Sequence, residues 1–239
     1  MKDWREDYLS LCSGAKSEHQ LFSELGKIIS GLGFQFCSYG LQAPLPVSSP
    51  KIELLTTFPD AWKSKYVANN YYCIDPTVRH GIQEQSPLIW SAEQSAVEHD
   101  FWEEAMQHDI RHGWCLSSRG QFGTMGILSL VRSSEKLTLQ ELDEKEAKLI
   151  WLTKLVHSSM VRFLAPKTMP ECTTELTCRE REVLKWTAVG KTYIEVGLIL
   201  NIDERTVKFH LVNAMRKLHS SNKAEAAVKA SLLGMLSSQ

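Results

Sequence analysis

Two short words, Thr177-Cys178-Arg179-Glu180 and Thr192-Tyr193-Ile194-Glu195, constrain this chain more than any other part of it. In each, a threonine stands three residues before a glutamate. This is the capping-box arrangement, in which the hydroxyl takes the amide of the third helical residue and the carboxylate reaches back to the amide of the cap. Helices therefore begin near Cys178 and Tyr193, and the first runs to about Val189 before stopping at Gly190. Asp203 caps a third helix over 204–218, and Asn222 with Glu225 opens a fourth through Leu236. Four short helices with a tight turn between the second and third form a helix-turn-helix module.

The third helix says what that module is for. Val207, Leu211, Ala214 and Leu218 recur at the spacing that buries one face. Arg205, Thr206, Lys208, Phe209, Val212 and Arg216 are left to meet a partner. The stretch TVKFHLVNAMRKL holds three positive charges and no negative one, in a chain whose formal net charge is only −1. In a major groove, Lys208 can donate to guanine acceptors and Val212 can touch a thymine methyl. Arg216, Lys217 and Lys223 lie further along, suited to phosphates. A basic helix alone is often a solvated surface; the two capped helices and tight turn before it point to double-stranded DNA.

Upstream, the pattern changes. At LAPKTMPECTTEL (164–176), two prolines and three threonines interrupt the periodicity, each proline pushing the residue before it out of helical geometry. The expected organisation is therefore one domain over 1–165, a linker over 166–175 and the helical module over 176–239. With 239 residues, 43% of them apolar, both domains can hold a core. In the first, GFQFCSYGL (33–41) and TMGILSLVR (124–132) read as half-buried strands, RGQFG as a hairpin turn, and 17–30, 60–69, 99–110 and 138–163 as helices. The fold class is α+β: an N-terminal α-β-α sandwich around a mostly antiparallel sheet, followed by an all-α four-helix domain.

Several functions are disfavoured. The N-terminus has scattered charges and no apolar run, and no stretch is long and apolar enough to span a bilayer, so a cytoplasmic protein without membrane partners is expected. The six cysteines are dispersed, without a C-x-x-C pair. Glu104, His108 and His112 fall four apart on what reads as one helix face, a spacing that suits metal ligands. Gly113 follows directly, however, and no third histidine or cysteine stands near. Histidines favoured by a helix C-terminus explain the pattern, so neither metal nor enzymatic activity is expected. Residues 171–239 hold ten Lys/Arg against eight Asp/Glu, and 1–170 hold 17 against 20, so the first domain is not a second nucleic-acid platform.

What distinguishes the first domain is aromatic density around one carboxylate. Trp62 and Tyr66 share a helix face, Trp90 follows, and Phe101 and Trp102 head another helix. Asp75, fixed before Pro76, needs a donor if buried among these rings: a ligand amide, backbone amides or Arg79. From these residues alone, a turn or cap role for Asp75 is the simpler reading.

The C-terminal stretch resembles the LuxR-type helix-turn-helix at Glu180, Leu184, Gly190, Lys191, ERTVKFH, RKL and NKAEA. From about Leu21 to Phe163, Trp62, Tyr66, Asp75, Pro76, Trp90 and Gly113 occur in the order and near-spacing of the autoinducer-binding domain that accompanies it. ELLTTFPDAWKSKY, DPTVRHG, PLIW and FWEEAMQHDIRHGW look most like the QscR subgroup. The resemblance implies a homodimer on a two-fold DNA site, with Ala226, Ala227, Leu232 and Leu233 in core or dimer contact, and RNA polymerase as a further partner if the bound dimer activates. It implies an N-acyl-homoserine lactone as ligand and no cofactor. Asp75 would accept from the ligand amide, Trp62 donate to the lactone carbonyl and Ser129 donate to the amide carbonyl. Ser38 and Gly40 would leave room for the acyl tail. Tyr66, Thr77, Val78, Trp90, Phe101, Trp102, Ala105, Ile110 and Ile127 would complete the wall. One departure is Phe58, which stands where many members have a tyrosine whose hydroxyl reaches the ligand. The alternative is a LuxR-type regulator that answers a different small molecule, or none.

Overall fold

The computed structural model describes residues 4–94 and 98–236. The chain divides into two compact units, one of Met1–Gln42, Ile52–Gly120 and Thr124–Leu164, the other of Ala43–Lys51, Gln121–Gly123 and Ala165–Gln239.

The first unit is built on five strands: β1 (Phe36–Gln42), β2 (Ile52–Thr56), β3 (Leu88–Ser91), β4 (His112–Arg119) and β5 (Met125–Arg132). They lie in the order β2-β1-β5-β4-β3, each pair antiparallel. The hairpin expected at RGQFG joins β4 to β5, with Arg119 opposite Met125 and positive φ at Phe122 and Gly123. Among the described residues six α-helices accompany the sheet: α1 (Trp4–Gly14), α2 (Glu18–Gly31), α3 (Asp60–Ala68), α4 (Pro76–Gln83), α5 (His99–Met106) and α6 (Leu139–Thr168). Registers place Cys37, Tyr39, Leu41, Leu128 and Leu130 on one face, all buried at 0% exposure. That face meets α6, where Tyr39 Oη lies 2.7 Å from His157 Nδ1, and α2 packs along β1. The other face carries Ser38, Gly40, Ser129, Ile127 and Cys115 and is met by α4, whose Gly81 comes so close that an added Cβ would lie 2.7 Å from Ile127. The expected α-β-α sandwich is therefore present.

Two expectations change. The 99–110 segment is helical only to Met106, and His112 opens β4 instead of ending a helix, so Glu104, His108 and His112 do not share a helix face. No group of His, Cys, Asp or Glu fit for a metal is found among the described residues. The 166–175 segment is not a free linker. Helix α6 continues through Pro166, which in the last turn forfeits only one helical hydrogen bond. Beyond it Met169 is fully buried, and Glu171 pairs with Lys229 at 3.1 Å.

The second unit holds α7 (Cys178–Ala188), α8 (Tyr193–Leu200), α9 (Glu204–Lys217) and α10 (Lys223–Leu232). Both capping boxes form as read, Asp203 accepts from the Thr206 amide and Asn222 from the Glu225 amide. Gly190 ends α7 with φ +86, a conformation that costs a glycine little. The last helix stops at Leu232, earlier than the expected Leu236. No helix among the described residues is long and apolar enough to cross a membrane.

Candidate ligand pocket and nucleic-acid interface

Helices α3 and α5 lay an aromatic cluster over the sheet face that bears Val131. Trp62, Ala92, Phe101, Trp102, Ala105 and Ile110 are buried there with it, and Phe36, Phe58, Tyr66, Tyr71, Trp90 and Met106 pack around them. Trp62 is the hub: its ring lies 5.9 Å from Tyr66, 5.7 Å from Tyr71 and Phe101, and 5.6 Å from His108. Trp90 and Trp102 sit 4.9 Å apart. Gly113 makes room for this pair, since a Cβ there would lie 2.4 Å from the Trp90 ring. Of the residues expected to form the wall, Trp62, Tyr66, Phe58, Trp90, Phe101, Trp102, Ala105 and Ile110 come together here. Ser38, Gly40, Ile127 and Ser129 lie side by side on the sheet. Thr77 and Val78 occupy the first turn of α4.

Asp75 caps α4, and its carboxylate is held from two sides. Oδ1 accepts from the Thr77 amide and the Thr77 hydroxyl, each at 2.8 Å, while the Tyr66 hydroxyl donates to Oδ2 at 2.9 Å. Burial pushes the Asp75 carboxyl up, and the Thr77 and Tyr66 hydrogen bonds oppose that shift. Tyr66 is pushed up by burial and by the Asp75 charge, so it stays a neutral donor. Arg79, a candidate partner for Asp75, pairs with Glu98 at 2.9 Å instead. A carboxylate has about four acceptor sites, and the Thr77 amide and hydroxyl, the Tyr66 hydroxyl and the Val78 amide all address this one, so a ligand donor would share Oδ2 with Tyr66 or displace one of these groups. Cap and ligand-holding roles are thus compatible in one residue.

Two further donors wait in the cluster. The indole nitrogens of Trp90 and Trp102 are buried with no hydrogen-bond partner among the described residues. Above the other end of the sheet, a Cβ placed on Gly40 would meet nothing within 4 Å, and the neighbouring Ile52 and Leu54 side chains of β2 remain 48% and 42% exposed. Phe58 stacks edge-on against Phe36 at 5.9 Å. Sequence reading missed Tyr71, which touches Trp62, Tyr66 and Phe101 and hydrogen-bonds Glu104. Its place in a three-residue turn gives it no periodic signal. Cys115 was also missed; it faces Ser129 across the β4–β5 register, and burial and the Asp75 charge push its thiol up.

On α9, Val207, Leu211, Ala214 and Leu218 are buried as expected, while Phe209 and Val212 stand 62% and 61% exposed. Arg205, Lys208, Arg216 and Lys223 are exposed too. Thr206 is occupied by the cap, its hydroxyl donating to Asp203 at 2.7 Å. Lys217 departs from expectation. It turns inward to Glu180 at 2.7 Å and to the Glu175 carbonyl at 3.1 Å, so it satisfies a buried carboxylate and is not a free phosphate contact. Ala226 and Leu233 are core residues, Ala227 is half-buried and Leu232 is exposed.

Comparison with known proteins follows the same division. Residues 17–160 match the autoinducer binding domain, and 174–230 match the bacterial regulatory proteins of the luxR family. The chain is 41% identical to the transcriptional activator protein AnoR of Acinetobacter nosocomialis over 238 residues, covering 99% of this chain and 100% of that one. It is 32% identical to the quorum-sensing regulator RhlR of Pseudomonas aeruginosa, covering 96% and 98%. The crystal structure of Escherichia coli SdiA superposes with a TM-score of 0.85 at 30% identity over 98% of each chain. SdiA in complex with octanoyl-rac-glycerol superposes at 0.82 with 28% identity over the whole of both chains. These similarities reach the family and not the QscR subgroup.

Proposed function

The chain belongs to the LuxR family of bacterial transcriptional regulators and carries an autoinducer binding domain, and on that premise we propose that it binds an N-acyl-homoserine lactone and, as a dimer, a two-fold symmetric DNA site. One observation carries the ligand assignment: a half-buried carboxylate, Asp75, is oriented by Tyr66 and Thr77 beside an aromatic cluster, where its anionic oxygens can accept from an amide N–H. In this reading Trp62 donates to the lactone carbonyl and Ser129 to the amide carbonyl. The tail runs over Ser38 and Gly40, and at Gly40 an added Cβ would meet nothing within 4 Å.

Regulation follows by linkage. A ligand that binds the folded, dimer-competent state stabilises it by RT ln(1 + [L]/Kd). The dimer presents two copies of α9 to half-sites about one helical turn apart, roughly 10–10.5 base pairs. Relatives are transcriptional regulators, and this chain is one and not an enzyme.

A second reading keeps the DNA domain and changes the ligand. Phe58 lacks a hydroxyl, which costs about 0.5–1.5 kcal/mol if a neutral hydrogen bond is lost. SdiA has been solved with an acylglycerol, so an acyl chain with a non-lactone head is the natural competitor. The test is to express the full chain with a lactone panel and with octanoylglycerol, then weigh what copurifies by mass spectrometry. A retained lactone supports the proposal; retention of octanoylglycerol alone supports the competitor.

A further inference from the structure

Two carboxylates stand at the amino end of the helix that would face DNA, where a polyanion should repel them. Asp203 is consumed by capping, with Oδ1 on the Thr206 amide and Oδ2 on the Thr206 hydroxyl. Glu204 is not. It is exposed on the first turn of α9, and its Oε1 lies 2.7 Å from Lys208 Nζ. Residues 204, 208 and 212 follow at four-residue steps, so Glu204 shares the face of Lys208 and the exposed Val212. Lys208 is placed from a second side as well: its ammonium lies 5.5 Å from the Tyr193 ring, which also carries Lys223 at 5.3 Å. The Tyr193 ring of α8 thus holds two cations, Lys208 of α9 and Lys223 at the start of α10, and the Glu204 carboxylate is paired with the first of them.

A lone lysine binds any phosphate. A lysine with a carboxylate beside it binds phosphate less well, because the carboxylate repels the same oxygen atoms. The combination presents one acceptor and one donor at hydrogen-bond separation. In the major groove a G·C pair presents the complement, with the cytosine N4 donor next to the guanine O6 and N7 acceptors. The helical ion pair is exposed and weak, so exchanging it for base contacts costs little.

We propose that Glu204 and Lys208 act together as a reader of one G·C base pair in each half-site, Glu204 accepting from cytosine N4 and Lys208 donating to guanine, with Glu204 also weakening attachment to non-operator DNA. This rests on the DNA-binding reading above and adds to it a specificity residue and a feature of the site. An acid at a helix start is also favoured by the helix dipole, so the test separates reading from stability.

Full-length protein, wild type and Glu204→Gln, is purified with N-octanoyl-homoserine lactone and used to select sites from a randomised duplex library. Affinities for the selected site and for a scrambled duplex are then measured across salt concentrations. Wild type should select an invariant G·C pair in each half-site. In Glu204→Gln that position should become degenerate, and the ratio of specific to non-specific affinity should fall about ten-fold, within the range of a single misread base pair. The scrambled duplex should bind the variant more tightly at low salt. The proposal is overturned if the variant selects the same consensus with the same ratio, or if it weakens equally on both duplexes and loses thermal stability. Failure of the wild type to select any consensus would instead overturn the DNA-binding reading itself, and this inference with it.

Discussion

Asp75 and His157 show how single side chains carry the first domain. Asp75→Asn keeps a residue that caps helices well but replaces an anionic acceptor with an amide whose NH2 faces the ligand N–H. We expect lactone affinity to fall by roughly 10-fold or more, as for a hydrogen bond to a charged group, with the fold retained; titration calorimetry and far-UV dichroism check both. Because the folded carboxyl is held above its ordinary range, lactone affinity should be full at neutral pH and begin to fall with acid before an ordinary carboxylate protonates. His157 acts on stability. Burial, with Lys154 adding to it, lowers its pKa to about 4 from 6.5, so the native ring stays neutral while the unfolded one takes a proton. Stability from this residue is full above the unfolded value and drains away as pH falls from 6.5 towards 4, by about 3 kcal/mol at most. In His157→Gln the unfolding midpoint should depend less on pH across that window.

At the scale of elements, Lys217 and the caps make opposite claims on the second domain. Glu180 is only 5% exposed, so Lys217→Ala leaves a buried carboxylate with the Thr177 donors alone. We expect a loss of about 1–3 kcal/mol in that domain and no change in the salt dependence of DNA binding; a shallower salt slope would return Lys217 to the phosphate contacts. Asp203→Ala removes the donor-satisfying cap of α9 and should cost about 1 kcal/mol, read by denaturant titration. The helices of this domain were legible because caps are local chemistry: Thr177 with Glu180, Thr192 with Glu195, and Asp203 with Thr206 signal within four residues. Strands β2, β3 and β4 were not. β4, HGWCLSSR, is buried on both faces like β5 but lacks β5's apolar run, so it shows neither alternation nor continuous hydrophobicity, and β2 and β3 are short edge strands whose identity lies in their partners. The same limit hid α4, a helix of eight residues that Pro76 starts and a tertiary contact through Gly81 holds. Site residues on helices were found from spacing and resemblance. Tyr71 and Cys115 were not, because what places them is the turn and the sheet register.

For the molecule as a whole, ligand and stability are one measurement. At a free ligand concentration of 100 times Kd, binding should add about 2.7 kcal/mol. For a chain of 239 residues that corresponds to a rise of roughly 5–10 °C in Tm, provided a single transition is seen. A lactone panel that leaves Tm unmoved, while octanoylglycerol raises it, would hand the site to the competing ligand class. The bare backbone at Gly40 bears on what such a panel returns. If the acyl tail lies here as proposed, the absence of a side chain to act as a stop and the uncovered apolar β2 residues beside it should leave chain length weakly discriminated. On that proposal a bacterium equipped this way would listen on a wide band, registering messengers of several chain lengths unless the head-group contacts do the filtering.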